Sequence, residues 1–376
     1  MNGYTAKIWN KCKNVLLRYN PFNKTNKINK NLDYKQQLYI HIGMPKTGSS
    51  AIQAFLALNE SYLLKHGFSY PNHTGFKQAF QTSAGNVADM AKWIENGNQQ
   101  AINALLSKTN TENIILSSEI LFVVLKKHPE KFAKYLQGRN YKIICYIREF
   151  ADLIESCINQ QIKNHYRVDY SHIDNVATNF DYYSCLLKAE SYIDIDNIIV
   201  KKYGSRYFYK DNIYADFMQA LGLELDDSIV YPEKVVNPSL NRDALEFRII
   251  LNKSFFAKKD LDLKYRLNGV LAKYSVENYI DASPLLNQKL RSALTSKYAS
   301  KEKELLVKYF KSSDYELFYK RPLCDEEYAG FSTEKLLKIL SFIKHNDQNL
   351  YQKIMDFTKL KLKNNADRLR ILNAVK

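Results

Sequence analysis

The stretch Leu38-Tyr39-Ile40-His41-Ile42-Gly43-Met44-Pro45-Lys46-Thr47-Gly48-Ser49-Ser50 decides the fold. Its first five residues read as a short buried strand that stops at Gly43. From Ser50 to Leu58 the period changes, and Ile52, Phe55 and Leu56 fall on one face of a helix. Strand, glycine-containing loop and helix start, in that order, form the setting of a phosphate-binding loop. The glycines let the backbone turn tightly, so amide N–H groups converge on an anion at the helix N-terminus.

The loop departs from the nucleotide-hydrolase pattern G-x-x-x-x-G-K-[ST] in an informative way. Gly43 and Gly48 keep its spacing, and Ser50 fills its hydroxyl position. Ser49 stands where the lysine belongs, and the lysine of this loop is Lys46. The cation that neutralises a β/γ-phosphate beside magnesium is therefore missing from its usual place. A lysine within the loop instead covers the terminal group of a shorter anion.

Outward from the loop, further strands read at Asn113–Leu116, Lys142–Ile147 and Asn197–Val200, with helical patterns between them. Apolar strands alternating with helices imply an α/β fold with a parallel sheet, here a P-loop-like three-layer sandwich. From about residue 240 the pattern is helical and charged. The expected organisation is a basic segment over 1–36, an α/β core over 37–240 and an added helical C-terminal region over 241–376.

Of 376 residues, 55 are basic and 39 acidic, a net charge of +16 that favours polyanions. The composition, 45% hydrophobic and 25% charged, is that of a folded chain. No stretch approaches the ~18 apolar residues of a membrane span. Five scattered cysteines without a C-x-x-C pair signal neither a disulfide framework nor a zinc site. The seven histidines form no metal-ligand spacing, so no metal is expected. Residues 1–32 place Tyr4, Ile8, Cys12, Val15 and Tyr19 on one helical stripe bordered by Lys7, Lys11 and Arg18. That pattern fits a peripheral anchor on an anionic membrane, or equally a helix docked on its own domain.

Gly43-Met44-Pro45-Lys46-Thr47-Gly48-Ser49-Ser50 after a strand resembles the 5′-phosphosulfate loop of the sulfotransferases that use 3′-phosphoadenosine 5′-phosphosulfate (PAPS). A second motif of that family, a strand ending in Arg with Ser eight residues on, is matched by Arg148 and Ser156 after Cys145-Tyr146-Ile147. Gly67–Pro71, Ser117-Ser118-Glu119, Phe180–Tyr183 and Asn237–Leu240 are similar to bacterial carbohydrate-type members. The resemblance runs from about residue 37 to about 325. Glu149-Phe150 departs from the acidic-Pro that many relatives carry after the arginine.

The resemblance implies PAPS as co-substrate, held by Pro45, Lys46, Thr47, Gly48, Ser49 and Ser50, with Arg148 and Ser156 on the 3′-phosphate. Adenosine 3′,5′-bisphosphate is the implied product. Sulfuryl transfer needs donors for charge on the leaving oxygen, which Lys46 supplies, and a general base for the acceptor. Glu119, after the second strand read above, and His73, in the Tyr70-Pro71-Asn72-His73 loop, are the two candidate bases. Asn237, Ser239 and Arg242 are implied to close over the co-substrate, although a helix cap explains them equally well. The implied acceptor is a glycan, such as a surface polysaccharide precursor, in a cytoplasmic enzyme with peripheral membrane contact. Two rivals are a small-molecule or nucleotide kinase and a non-catalytic nucleic-acid-binding protein. The first needs a lysine after Gly48. The second needs interleaved basic and aromatic residues that the sequence lacks, so no nucleic-acid partner is expected.

Overall fold

The computed structural model describes residues 36–71, 85–170, 173–232, 239–254, 256–257, 260–278, 285–311, 316–319, 328–360 and 365–374. The basic segment up to residue 35, His73 and Asn237 lie outside the described residues. Residues 35–376 form one compact unit.

Five strands build one parallel sheet: β1 (Gln37–Ile42), β2 (Phe68–Ser69), β3 (Asn113–Ser118), β4 (Asn140–Ile147) and β5 (Ile198–Lys202), in the order β2-β3-β1-β4-β5. The four strands read from the sequence are present, each somewhat longer or shifted. β2 was not among them, because two residues carry no period.

Alternation along the strands sends side chains to two separate apolar layers. Leu38, Ile40 and Ile42 of β1, with Leu116, Ile143 and Cys145, pack into the larger layer. That layer includes the helices α2 (Ile120–Lys127), α3 (Phe150–His165) and α4 (Tyr182–Ala189). Ile115, Ile144 and Tyr146 face the other way, against α1 (Ser49–Leu58) and α5 (Ile213–Ala220). Helices on both faces of a parallel sheet make the three-layer α/β sandwich. Beyond residue 241 every described regular element is a helix, beginning with α6 (Arg242–Asn252), α7 (Leu261–Glu277) and α8 (Gln288–Phe310).

α3 organises the larger layer and is buried on almost every side. Leu153, Ile154, Cys157 and Ile158 face the core as their spacing requires, but Ser156, Asn159 and Lys163 are buried as well. Its start lacks proline, and Glu149 does that work by accepting from the N–H groups of Ala151 (3.1 Å) and Asp152 (2.7 Å). Arg291 of α8 then clamps the first turns, reaching Glu149 at 3.0 Å, Asp152 at 2.9 Å and Glu155 at 3.1 Å. At the other end three side chains cap the last carbonyls. Arg248 of α6 donates to Lys163 O (3.3 Å), Lys264 of α7 to Asn164 O (2.9 Å) and Asn252 to Ile162 O (2.8 Å). Acids at the start and cations at the end complement the helix dipole.

The short β2 leaves β3 partly unpaired. There the side chain of Asn86 donates to Ile115 O (3.0 Å) and accepts from Ser117 N–H (2.8 Å), as a strand peptide would. Gly85 makes this approach possible, since a Cβ there would lie 1.9 Å from Ser117 O.

The Arg291 clamp yields a stability prediction. Arg291→Met leaves three half-buried carboxylates facing one another and should cost about 3 kcal/mol near pH 7. Urea unfolding should show the deficit shrinking toward pH 4, as Glu149, whose carboxyl burial and then Asp152 hold above the usual range, takes up a proton. An equal deficit at both pH values would assign the loss to packing instead.

Candidate active site

The site forms where the chain order of the sheet reverses. From β1 the chain passes to β2 and β3 on one side and then crosses to β4 on the other, the place where open α/β sheets bind ligands. Register makes the three strand ends neighbours, with Ile42 opposite both Ser118 and Cys145. Glu119 therefore follows β3, the loop follows β1, and Arg148 follows β4, side by side.

The loop is held by its own polar groups. Gly43 N–H donates to Ser118 O (3.1 Å), and Thr47 Oγ1 and Ser49 Oγ donate to Met44 O at 2.7 and 3.3 Å. Thr47 and Ser49 are buried. Their hydroxyl protons thus brace the loop, while Ser50 is half-buried. Lys46 adopts φ 64° and Gly48 φ 79°, both left-handed. A Cβ on Gly48 would also meet Ile213 Cδ1 at 2.5 Å, which adds to the preference of this left-handed position for glycine. Gly48 caps α1 without a side-chain bond, and the first turn of α1 holds no acid. Among the described residues the amides of Gly48, Ser49 and Ser50 donate to no backbone acceptor, which leaves a helix N-terminus open to an anion.

Cations converge on that opening. Lys46 Nζ donates to Gln160 Oε1 of α3 (3.4 Å), and Arg148 Nη1 donates to Lys46 O (3.1 Å). Arg148 lies over the Tyr203 ring at 5.3 Å, and Tyr203 N–H donates to Ile147 O (2.7 Å). The Arg148 carbonyl is in turn held by the Tyr182 hydroxyl. This gives the Phe180–Tyr183 stretch its purpose, since Asp181 caps α4 and Tyr182 fixes the strand end. Ser156 is buried two turns into α3, on the same side as Gln160.

Glu119 sits tight against the loop, so close that a Cβ on Gly43 would be 3.0 Å from its Cγ. Burial pushes its carboxyl up to about 7, while the Lys46 ammonium pulls it partly back. Burial lowers Lys46 in turn, opposed by Cys157 and Glu119 and reinforced by Arg148. A carboxyl that changes charge near neutral pH beside a desolvated lysine can move a proton in either direction. His41 is a packed residue: it is fully buried, with Nδ1 2.8 Å from Ser117 Oγ, and burial holds its imidazole down at about 3, hence neutral.

A cavity of about 650 Å³ opens beyond Arg148, lined by Arg148, Tyr203, Ser205, Arg206, Thr295 and Tyr319 among others. Arg206 stacks on Tyr319 at 3.9 Å. The sequence carries no motif for Tyr203; its one signal is that it follows β5 as Arg148 follows β4. Arg242 is turned elsewhere, bonded to Glu246 (3.0 Å) and stacked on Tyr170 and Tyr328, and the cap of α6 is Asn241. No group of three or more His, Cys, Asp or Glu among the described residues could hold a metal ion. No helix among them is long and apolar enough to cross a membrane.

No family profile matches the chain, and no solved structure matches it. An uncharacterized protein of Archaeoglobus fulgidus is 26% identical over 260 residues, which cover 65% of this chain and 66% of that protein. The match thus spans just under two thirds of either chain.

The raised carboxyl makes Glu119 a cost to folding once it ionises. Its folded form holds the proton more tightly than an unfolded glutamate, so stability falls as pH rises through about 7. Glu119→Gln should therefore raise the Tm at pH 8 and leave it nearly unchanged at pH 4. A lower Tm at pH 8 would mean that the carboxylate is better paired than its burial indicates.

Proposed function

We propose that the chain is a PAPS-dependent sulfotransferase that moves a sulfuryl group to a carbohydrate hydroxyl, on a substrate such as a surface polysaccharide precursor. The observation that carries this reading is Arg148, which binds the anion loop through Lys46 O and at the same time lines the adjoining cavity. One arginine shared by a helix N-terminus and a cavity suits a ligand with two separated anionic groups. The residues present fit such a co-substrate: open amides, a glycine cradle and cations, with Ser49 where a nucleotide kinase would carry its lysine.

In this reading the loop amides and Lys46 hold the 5′-phosphosulfate, and Arg148 with Ser156 holds the 3′-phosphate. Lys46 Nζ donates to the bridging oxygen as the S–O bond breaks, where a single preorganised donor is worth ~10²–10³ in rate. Glu119 accepts the proton of the acceptor hydroxyl as its oxygen bonds to sulfur, and adenosine 3′,5′-bisphosphate departs. His73 is the rival base. The same reading makes the protein cytoplasmic, with residues 1–32 touching an anionic membrane surface.

A thermal shift series tests the donor. Adenosine 3′,5′-bisphosphate should raise the Tm, and ATP with magnesium should not; the reverse would favour a kinase. Arg148→Ala should weaken bisphosphate binding at least tenfold through loss of a charge-assisted contact. Lys46→Ala should instead lower turnover with a smaller effect on binding. With an acceptor hydroxyl identified, kcat/KM should rise with pH through about 7 and then level, since Glu119 must be ionised to act. Glu119→Gln should slow turnover ~10²–10⁴-fold. Near-normal turnover in Glu119→Gln together with an inactive His73→Ala would transfer the role to His73.

A further inference from the structure

Two arginines line the cavity beside the loop, and they are held in opposite ways. Arg291 is ringed by acids, with Glu149 at 3.0 Å, Asp152 at 2.9 Å and Glu155 at 3.1 Å, so its charge is neutralised within the protein. Arg148 makes no ion pair among the described residues, although Glu149 and Asp152 line the same cavity. It gives one bond to Lys46 O (3.1 Å) and lies over the Tyr203 ring at 5.3 Å. Among the described residues its other N–H groups have no acceptor, which leaves them to a ligand.

The Tyr203 ring is a fixed plate. Its residue's N–H donates to Ile147 O (2.7 Å), which carries the β4–β5 ladder on to the peptide that joins Ile147 to Arg148. Phe208 meets the ring edge-on at 5.5 Å. The Cε2 corner of the ring lies 3.0 Å from where a Cβ on Gly48 would stand. One side chain therefore touches the anion loop with its edge and carries the arginine on its face.

The kind of partner matters. A guanidinium that is free to swing spends part of its binding energy on being ordered. A carboxylate would order it but would compete with an anionic ligand for the same donors. An aromatic face orders the planar cation without taking an N–H group or cancelling its charge.

We infer that Tyr203 is a positioning residue for Arg148, and that through it the site prefers a nucleotide carrying a 3′-phosphate as well as a 5′-anion. This rests on the sulfotransferase reading, which assigns the 3′-phosphate to Arg148. Tyr203 acts through the arginine and takes no part in moving the sulfuryl group.

Calorimetry on the full chain compares adenosine 3′,5′-bisphosphate with adenosine 5′-monophosphate, and the ratio of the two affinities reads the 3′-phosphate contact. The ratio should be about ten or more in the wild type. Tyr203→Leu should cut it about fivefold and leave monophosphate affinity within twofold. Tyr203→Phe should keep it, since the ring face remains. In an Arg148→Ala background Tyr203→Leu should change the ratio no further, because the two residues act as one unit. A merely structural role would weaken both ligands together. That outcome, or a ratio that survives Tyr203→Leu, would overturn the inference. So would equal losses in Tyr203→Phe and Tyr203→Leu, because the hydroxyl would then be bonding the ligand itself. Should Tyr203→Leu fold poorly, pentafluorophenylalanine at position 203 decides, since it keeps the ring's shape and reverses the charge of its face. The ratio should then fall below that of Tyr203→Phe, and an unchanged ratio would overturn the role of the ring. If the wild type binds no bisphosphate, the donor reading falls and this inference with it. Bisphosphate bound with a ratio indifferent to Tyr203 removes only this inference.

Discussion

Everything in the site depends on β1 being hydrogen-bonded between β3 and β4. Parallel strands start and stop in one sense, so three adjacent ends deliver their following residues to one edge. Glu119, the Gly43–Ser50 loop and Arg148 come from segments far apart in sequence, and only this register makes them neighbours. The loop then needs little more to open a helix N-terminus: two left-handed residues, and two hydroxyls bonded to Met44 O.

α3 is the second determinant, because it carries the polar face that meets the loop. A helix buried on all sides must satisfy both of its ends inside the protein. Arg291 gathers the acids of the first turns, and Arg248, Lys264 and Asn252 take up the last carbonyls. The helical region beyond residue 241 therefore does more than lengthen the chain. It supplies the charges that allow α3 to lie where Gln160 can reach Lys46.

Much of this was legible in the sequence, for physical reasons that differ by element. β1, β3, β4 and β5 are short apolar runs, and burial on both faces leaves no other use for them. β2 has two residues, and its pairing is completed by the Asn86 side chain, so no run announces it. The loop was readable because glycine spacing encodes backbone shape. The work of Thr47 and Ser49 was not, since a hydroxyl that braces a loop and one that binds a ligand look alike in sequence. Tyr203 was silent for another reason: its role arises from what lies across the sheet edge.

Asn86 carries a consequence of a different kind. A parallel sheet that ends in a two-residue strand offers the backbone of β3 to any extended segment that drifts past, including the same strand of another copy. The Asn86 amide occupies the Ile115 carbonyl and the Ser117 N–H, and Gly85 lets it approach without a clash. One side chain thereby closes the edge to edge-to-edge association beside the candidate site.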